Sequence, residues 1–559
     1  MEKQLPKTKG MSLWRTIWDK ESPVCKSLIF VLLGIFFLIG LVTLRQYGTP
    51  WDEQEEITIY IGNLKEYARL FFGEDCEFNQ LSSWIDYARD NANIDHGESL
   101  YYILAPFAKM FLTGNELGFV FLWRTVILLI CLAGAFFLYL IVKHLTKDPR
   151  YGLLASLMLL LSPRFFAEMT YNHKDLAQMT LWLGLLYFTL MWIKHRSFKW
   201  AVALGIVAGF AINMRFAAAM GYFVCGVVYC VAIFAVDRRK ETLKRDVMQG
   251  IVSVLTCLVV LFLITPGCWQ GLHKYIFYCL TQATSFPWDG VILFGGKIYG
   301  ASTLTRWYLP ITIAITIPLL FTPLFCIGNV TSLFGIRKSE KTGKKRLFFK
   351  FDLEMILVTA MMYLSVLTYL IMKPTIYNGW RHYYFLYGFI LIFAVLGFRY
   401  LLNLAIRNVR AIVAGLMAVQ LLAMCFVIAF SHPYQFTYYN ILAGTHPEER
   451  YEMDYWGVSG KDALIELIDL KYDGEPLKIT GLESSCDTII DRAIFILPEE
   501  YEGKIRYVDR IAEADYIFVN YTYAYKIRNH ELYQAISNYE KIVEIDYFSS
   551  PLAAVYQLK

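Results

Sequence analysis

Long apolar runs recur along this chain, separated by short polar or basic joints, and most are long enough for a helix to cross a hydrocarbon core of about 30 Å. The pattern predicts eleven spanning helices, at about 27–45, 118–143, 151–167, 176–193, 199–214, 217–236, 248–266, 307–334, 351–372, 382–402 and 409–430. Three intervals exceed what a connection needs, at about 46–117, 267–306 and 431–559, and long ordered loops of this kind tend to be functional. In the first, Ile57, Tyr60, Ile61, Leu64, Tyr67 and Ala68 repeat at helical spacing with Glu55, Glu56, Lys65 and Glu66 between them. That reads as a helix lying on the membrane surface. Leu100 to Leu112 is apolar and aromatic but too short to span, so it is expected to be re-entrant or interfacial.

The last interval alternates short apolar runs with a polar helical pattern, which predicts an α/β domain. Its expected strands are Leu477–Thr480, Ile505–Val508, Tyr516–Asn520 and Ile542–Asp546, with helices such as Ser459–Leu470 and Asn529–Ser537 between. It has no glycine-rich phosphate loop. The organisation is therefore a cytoplasmic segment 1–26, a transmembrane domain 27–430 whose first external loop is 46–117, and an external α/β domain 431–559. That domain is expected to cap or position the membrane part, with direct substrate contact as the alternative.

Composition agrees with the periodicity: 57% hydrophobic residues, 18% charged residues and a mean hydropathy of +0.41 exclude a soluble domain of 559 residues. Lys143, Lys147 and Arg150, then Lys194, Arg196 and Lys199, then Arg238, Arg239, Lys240, Lys244 and Arg245 form successive basic joints. Arg337, Lys338, Lys341, Lys344, Lys345, Arg346 and Lys350 form a fourth, and Arg399, Arg407 and Arg410 a fifth. Positive residues favour the cytoplasmic side. The N-terminal Lys3, Lys7, Lys9, Arg15, Lys20 and Lys26 join that side, and an odd span count puts the C-terminus outside a multi-pass plasma-membrane protein. The first span is too long, and its flank too poor in small residues, for a removable signal peptide, so it reads as an uncleaved anchor. Eleven cysteines lack metal-ligand spacing, and Cys131, Cys225, Cys230, Cys257 and Cys425 lie inside apolar runs as packing residues. The cytoplasmic joints account for the net charge of +5, which leaves no sign of nucleic-acid binding.

Candidate chemistry gathers on one face of the predicted topology. Pro50-Trp51-Asp52-Glu53 follows the first span directly, where carboxylates beside hydrocarbon are costly and so mark a functional group. The same face receives Asp95-His96, Ser162-Pro163-Arg164, Tyr171-Asn172-His173-Lys174-Asp175, Arg215, Lys373 and the run Tyr377 to Tyr384. An anionic lipid-linked substrate needs cations near its phosphate and a carboxylate near the nucleophile. Arg381, Lys174, Arg164 and Arg215 are the phosphate candidates, against plain snorkelling at the interface. Asp52 is the candidate general base, with Glu53 and Asp175 tuning its charge or holding the acceptor. Phe286-Pro287-Trp288-Asp289-Gly290 joins an aromatic face to a carboxylate, which suits a sugar; Tyr384 is a further sugar or acceptor candidate. Asp95 and His96, joined by His173 or His382, are a divalent-metal option without HxH or HExxH spacing to support it.

These residues resemble a family. Pro50 to Glu53 is similar to the acidic motif in the first external loop of GT-C membrane glycosyltransferases, of the protein O-mannosyltransferase and aminoarabinose-transferase type. Tyr171 to Asp175 resembles that group's second acidic position, and Arg381-His382-Tyr383 its Arg-Tyr motif at a late span. Asp95 to Tyr102 stands where the group carries a Lys-Pro-Pro-Leu-Tyr-Tyr type sequence, but the lysine and both prolines are missing. The tail also lacks the lectin-like repeats of eukaryotic mannosyltransferases, so bacterial members are more similar. The resemblance covers about 27–430. It implies inverting transfer of a sugar from a polyprenyl-phosphate carrier to a lipid, glycan or protein acceptor at the external face, with membrane lipids as partners and no required cofactor. A transporter or flippase of lipid-linked sugars is the alternative; a scaffold hardly needs eleven spans.

Overall fold

Every one of the eleven apolar runs forms helix, but two of them break. The computed structural model describes residues 23–85, 94–236, 240–285, 288, 290–338, 345–404, 406–522 and 531–559. Lys3, Lys7, Lys9, Arg15, Lys20, Arg238, Arg239, Lys341, Lys344, Phe286, Pro287, Asp289 and Asn529, named above, lie outside them. Helix α1 (Pro23–Thr43) leads through Asp52 into helix α2 (Glu53–Phe72), then to α3 (Glu116–Thr146), α4 (Pro149–Leu160), α5 (Pro163–Glu168), α6 (Asp175–His195) and α7 (Phe198–Met214). Next come α8 (Ala218–Val236), α9 (Lys240–Ile264), α10 (Leu272–Ser285) and the hairpin β1 (Val291–Phe294) and β2 (Lys297–Gly300). Helices α11 (Tyr308–Thr316) and α12 (Phe321–Leu333), hairpin β3 (Phe334–Lys338) and β4 (Lys345–Phe349), and α13 (Leu353–Met372), α14 (Leu386–Leu402) and α15 (Arg407–Phe430) complete the membrane part.

Among the described residues, seven helices are long and apolar enough to cross a membrane: α1, α3, α6, α8, α9, α13 and α15. The bent pair α11–α12 makes eight if it counts as one span. Where a straight span was expected at 151–167, α4 stops after 12 residues, about 18 Å of rise. Ser162 precedes Pro163 and is extended, as the ring of a following proline demands. Pro318 acts likewise: Ile317 is extended and the chain turns by 118° between α11 and α12. The Leu100–Leu112 stretch forms a 3-10 turn, Ser99–Phe107, and a short helix, Lys109–Leu112, instead of a span.

Helix α6 sits at the centre, buried on nearly all sides, whereas α1, α9 and α15 turn Leu, Ile, Val and Phe outward as lipid-facing helices do. Small residues let some backbones meet: a Cβ on Gly328 of α12 would lie 1.8 Å from the Phe393 carbonyl oxygen of α14, and one on Gly397 2.1 Å from that of Leu324. Caps fix the helix starts: the Asn115 side chain accepts from the Gly118 N–H, Asp148 from Arg150, and Asp352 from Glu354 and Met355.

The tail carries a five-stranded sheet in the order β6-β5-β7-β9-β8, with β5 (Leu477–Gly481), β6 (Ile505–Tyr507) and β7 (Tyr516–Asn520) parallel. Strands β8 (Glu540–Tyr547) and β9 (Ser550–Gln557) run antiparallel, and β9, unforeseen in the sequence, pairs with both β7 and β8. Its Leu552 to Tyr556 are all buried, so the alternation that marks a half-exposed strand is missing. Helices α16 (Ser459–Lys471), α17 (Ser484–Phe495) and α18 (Glu531–Ile536) accompany the sheet. The domain docks on the end of α1: Lys461 Nζ donates to the carbonyls of Arg45 (2.8 Å) and Gln46 (3.2 Å). A Cβ on Gly48 would stand 2.4 Å from the Val458 carbonyl oxygen. Between α15 and the sheet the chain packs into the membrane part, where Asn440 Nδ2 donates to the carbonyls of Ala314 and Ile317 at 2.7 and 2.8 Å.

Candidate active site

Helix ends converge on one cavity of about 480 Å³, walled by Asp52, Glu56, Asp95, His96, Lys174, Asp175, Arg215, Tyr377, Arg381 and Trp456 on its polar side. Phe216, Ala219, Met220, Leu280 and Met372 form an apolar side. Asp175 opens α6, Arg215 closes α7 and Arg381 precedes α14, so each charged group sits at a helix end and not along an apolar helix.

Asp52 precedes the first turn of α2 and leaves its side chain uncommitted to capping. Its Oδ2 accepts from Arg381 Nη1 at 2.6 Å, joining positions 329 residues apart. The Asp52 side chain is 39% exposed and that of Arg381 6%, so the pair stands at the cavity's opening with its cation buried. The guanidinium carbon lies over the rings of Trp456 (4.7 Å) and Tyr377 (5.0 Å). Asn378 and Gly379, both at positive φ, turn the backbone sharply before it, and the Gly379 N–H donates to Tyr308 Oη and Glu452 Oε2.

One helical turn beyond Asp52, Glu56 enters the same cavity. Lys174 Nζ lies 3.3 Å from both its oxygens, and His96 Nδ1 3.3 Å from Oε1. Burial raises the Glu56 carboxyl, but Lys174 and His96 outweigh it and hold the group well below the usual carboxylate range. Glu98 behaves oppositely: burial, and then the Glu56 charge, push it well above that range. His173 Nε2 stands 3.8 Å from an oxygen of each. Arg215 Nη2 donates to Asp175 Oδ1 at 2.5 Å, and the Asp175 N–H to Asn172 Oδ1 at 3.1 Å. Asn172 Nδ2 in turn donates to Glu168 Oε2 at 2.8 Å; burial pushes that carboxyl up to about 7.

Several expectations are corrected by this geometry. Glu53 is not in the cavity: fully buried, it takes both its oxygens to Arg124 Nε (2.8 Å) and Nη2 (2.7 Å), while Arg124 also donates to the carbonyls of Leu44, Tyr47 and Gly48. This bidentate pair fastens α2 and the end of α1 to α3. Arg164 is buried on α5 outside the cavity wall, donating from Nε to the Tyr438 carbonyl at 2.9 Å over the Tyr439 ring. Tyr384 stacks on Trp380 at 4.6 Å and does not reach the cavity either. Trp288 stacks on Tyr377 at 4.2 Å and so backs the wall instead of lining it, and Asp289 lies outside the described residues. The metal option also shifts. Among the described residues the group able to hold an ion is Glu56, Glu98 and His173, whose ligand atoms lie within 4.8 Å of one another; Asp95 and His96 are not in it. Glu98's oxygens and His173 Nε2, buried and without a hydrogen-bond partner, fit a divalent cation.

Sequence reasoning missed Arg124, Glu168 and Trp456, and treated Glu56 as one charge on a solvated face. The signal for Glu56 was its spacing of four from Asp52. Trp456 sits between Tyr455 and Gly457 in the tail, where nothing in the sequence pointed to a cavity in the membrane part.

Residues 95–269 match the family model described as dolichyl-phosphate-mannose-protein mannosyltransferase. No curated protein matches the chain. Among solved structures, ArnT from Cupriavidus metallidurans in the apo state aligns at 12% identity over 95% of this chain and 97% of that one, with a TM-score of 0.45. The same protein bound to undecaprenyl phosphate aligns at 11% over 96% and 98%, TM-score 0.47. The apo oligosaccharyltransferase of Archaeoglobus fulgidus aligns at 11% over 93% and 74%, TM-score 0.45. The segment similar to that mannosyltransferase family, about a third of the chain, carries Asp95, His96, Lys174, Asp175 and Arg215 of the cavity wall.

Proposed function

We propose that this protein moves a sugar from a polyprenyl-phosphate carrier to an acceptor hydroxyl on a lipid, glycan or protein, at the extracytoplasmic face and with inversion. The observation that carries the reading is the Asp52–Arg381 pair at the mouth of a cavity with one cationic and one apolar side. The apolar wall of Met220, Leu280 and Met372 suits a prenyl chain, and Arg381, Lys174 and Arg215 suit its phosphate. The acceptor oxygen attacks the anomeric carbon, the carbon–oxygen bond to the phosphate breaks, and the acceptor proton passes to Asp52. The departing polyprenyl phosphate gains charge where fixed cations already stand, which stabilises the transition state more than the ground state. Donor binding draws Arg381 toward phosphate and frees Asp52 to accept that proton. Asp175 keeps Arg215 aimed at the cavity. Glu56, Glu98 and His173 would hold a divalent cation, which when bound adds positive charge beside the phosphate.

The basic joints support the orientation. Lys143 and Lys147 end α3 and Lys194 ends α6, opposite the end of α6 that opens at Asp175 beside the cavity. By the positive-inside rule the cavity then faces outward, the N-terminus is cytoplasmic, and 431–559 is an extracytoplasmic domain following the transmembrane domain 27–430. Among the described residues the cavity's charged groups Asp175, Arg215 and Arg381 stand at helix ends and not at mid-span, which favours transfer over transport. The test is glycan and glycolipid mass spectrometry of cell envelopes carrying wild-type protein or Asp52→Asn. We expect one linkage to vanish in the variant. Substrate movement into liposomes by purified protein, with no glycosyl product, would replace transfer by transport.

A further inference from the structure

Parallel strands β5, β6 and β7 follow the topology in which ligands settle outside the carboxyl ends of strands, where the chain order reverses. Here that place lies at the ends of β5 and β7, and the protein's own chain fills it. Asn520, the last residue of β7, donates through Nδ2 to Asp454 Oδ2 at 3.2 Å, and Thr522 Oγ1 donates to the Asp454 carbonyl at 2.7 Å. The Asp454 carboxylate accepts the N–H groups of Val458 and Ser459, both at 3.0 Å, which starts α16. Gly457 takes a φ of +72°, and a Cβ there would come within 2.6 Å of Ile489 on α17. The 454–459 loop is thus gripped by the sheet, by α16 and by α17.

What this grip presents to the membrane part is Trp456. It is 3% exposed, it walls the cavity, and its ring lies 4.7 Å from the Arg381 guanidinium carbon. The neighbouring Tyr455 hydroxyl donates to Glu168 Oε1 at 3.2 Å, tying the loop to the network that reaches Asp175 and Arg215. Besides Asp52, the Arg381 side chain is oriented by the Trp456 and Tyr377 rings. We propose that Trp456 is a positioning residue for Arg381, so that the external domain is part of the active site and its ligand crevice is used to hold this one side chain in place. The proposal rests on the reading of Arg381 as the phosphate-binding arginine.

The test measures undecaprenyl phosphate binding to the purified full-length protein, and KM against kcat for the carrier-linked sugar. Wild type is compared with Arg381→Gln, Trp456→Phe, Trp456→Leu and a series carrying fluorinated tryptophan at 456. We expect Arg381→Gln to lose binding, Trp456→Leu to weaken it about tenfold, and Trp456→Phe to stay within about threefold, because a ring face over a cation is what matters. Fluorines drain the ring face without changing its shape, so affinity should fall stepwise with their number while the melting temperature holds. This series also decides the matter should Trp456→Leu fail to fold. Wild-type affinity and KM in the most fluorinated protein, with Arg381→Gln still defective, would overturn the proposal. Absence of binding by the wild type would overturn the functional reading instead.

Discussion

Two adjacent carboxylates offer a sharp separation of chemistry from architecture. Glu53 is fully buried and bound on both oxygens by Arg124, whose guanidinium has no exposed surface. In Glu53→Gln the cation stays buried with only the carbonyls of Leu44, Tyr47 and Gly48 and a neutral amide to face it. Removing one partner of a buried ion pair costs about 3–5 kcal/mol. Asp52→Asn, one position earlier, removes a 39% exposed charge and leaves the buried Arg381 facing two aromatic rings on the cavity wall. With one partner part-exposed and the other buried, the loss lies between that of an exposed pair, about 1 kcal/mol or less, and that of a sealed one. Loss of a general base lowers turnover by about 10²–10⁴-fold. Thermal melting in detergent and sugar transfer are the two assays. Asp52→Asn should melt above Glu53→Gln and transfer almost nothing; Glu53→Gln should melt well below wild type, and whatever fraction stays folded should still transfer. Wild-type stability in Glu53→Gln, together with wild-type turnover in Asp52→Asn, would refute both assignments.

A second expectation concerns pH. Burial lifts the Glu168 carboxyl from 4.5 to about 7, so between those values the folded protein binds a proton that the unfolded chain has lost, and stability falls as pH rises through that window. At 1.36 kcal/mol per pH unit this amounts to about 3 kcal/mol at most. Glu452, pushed up to about 8 by burial, extends the fall to higher pH. Glu168→Gln should flatten the lower part of the melting-temperature profile; an unchanged slope would show that other groups carry it. A third concerns Gly97, where a Cβ would sit 2.1 Å from the Asn213 carbonyl oxygen. In Gly97→Ala the 95–99 loop must shift, moving His96 and Glu98 against Glu56, and kcat/KM should fall about a hundredfold, as misplacements near 1 Å do. Activity within threefold of wild type would mean that this loop does not order the site.

Much of the architecture was legible because lipid is an unforgiving solvent. Spanning helices must carry long apolar runs, and a charge beside them is costly enough to stand out, which is why Asp52, Lys174, Asp175, Arg215 and Arg381 could be picked from the sequence as one face's chemistry. Strands β5, β6, β7 and β8 were readable by their composition. Strand β9 was hidden because its buried residues do not alternate. Proline breaks at Pro163 and Pro318 were present in the sequence, but whether a proline kinks a span or ends it depends on what re-satisfies the freed backbone groups, and that is a property of neighbouring helices.

What the sequence determined by itself was a membrane-embedded helical domain, an α/β tail and a set of charges at helix ends, since each follows from local hydropathy. Which charge does what was decided only by tertiary structure. Asp52 and Glu53 are chemically alike and adjacent, yet one faces Arg381 at an open cavity and the other a sealed Arg124, because successive positions at the start of α2 point in different directions. Trp456 reaches the cavity only because a sheet formed hundreds of residues after the first span grips the loop that carries it. No local pattern encodes such a contact; it depends on how the tail and the helical part meet.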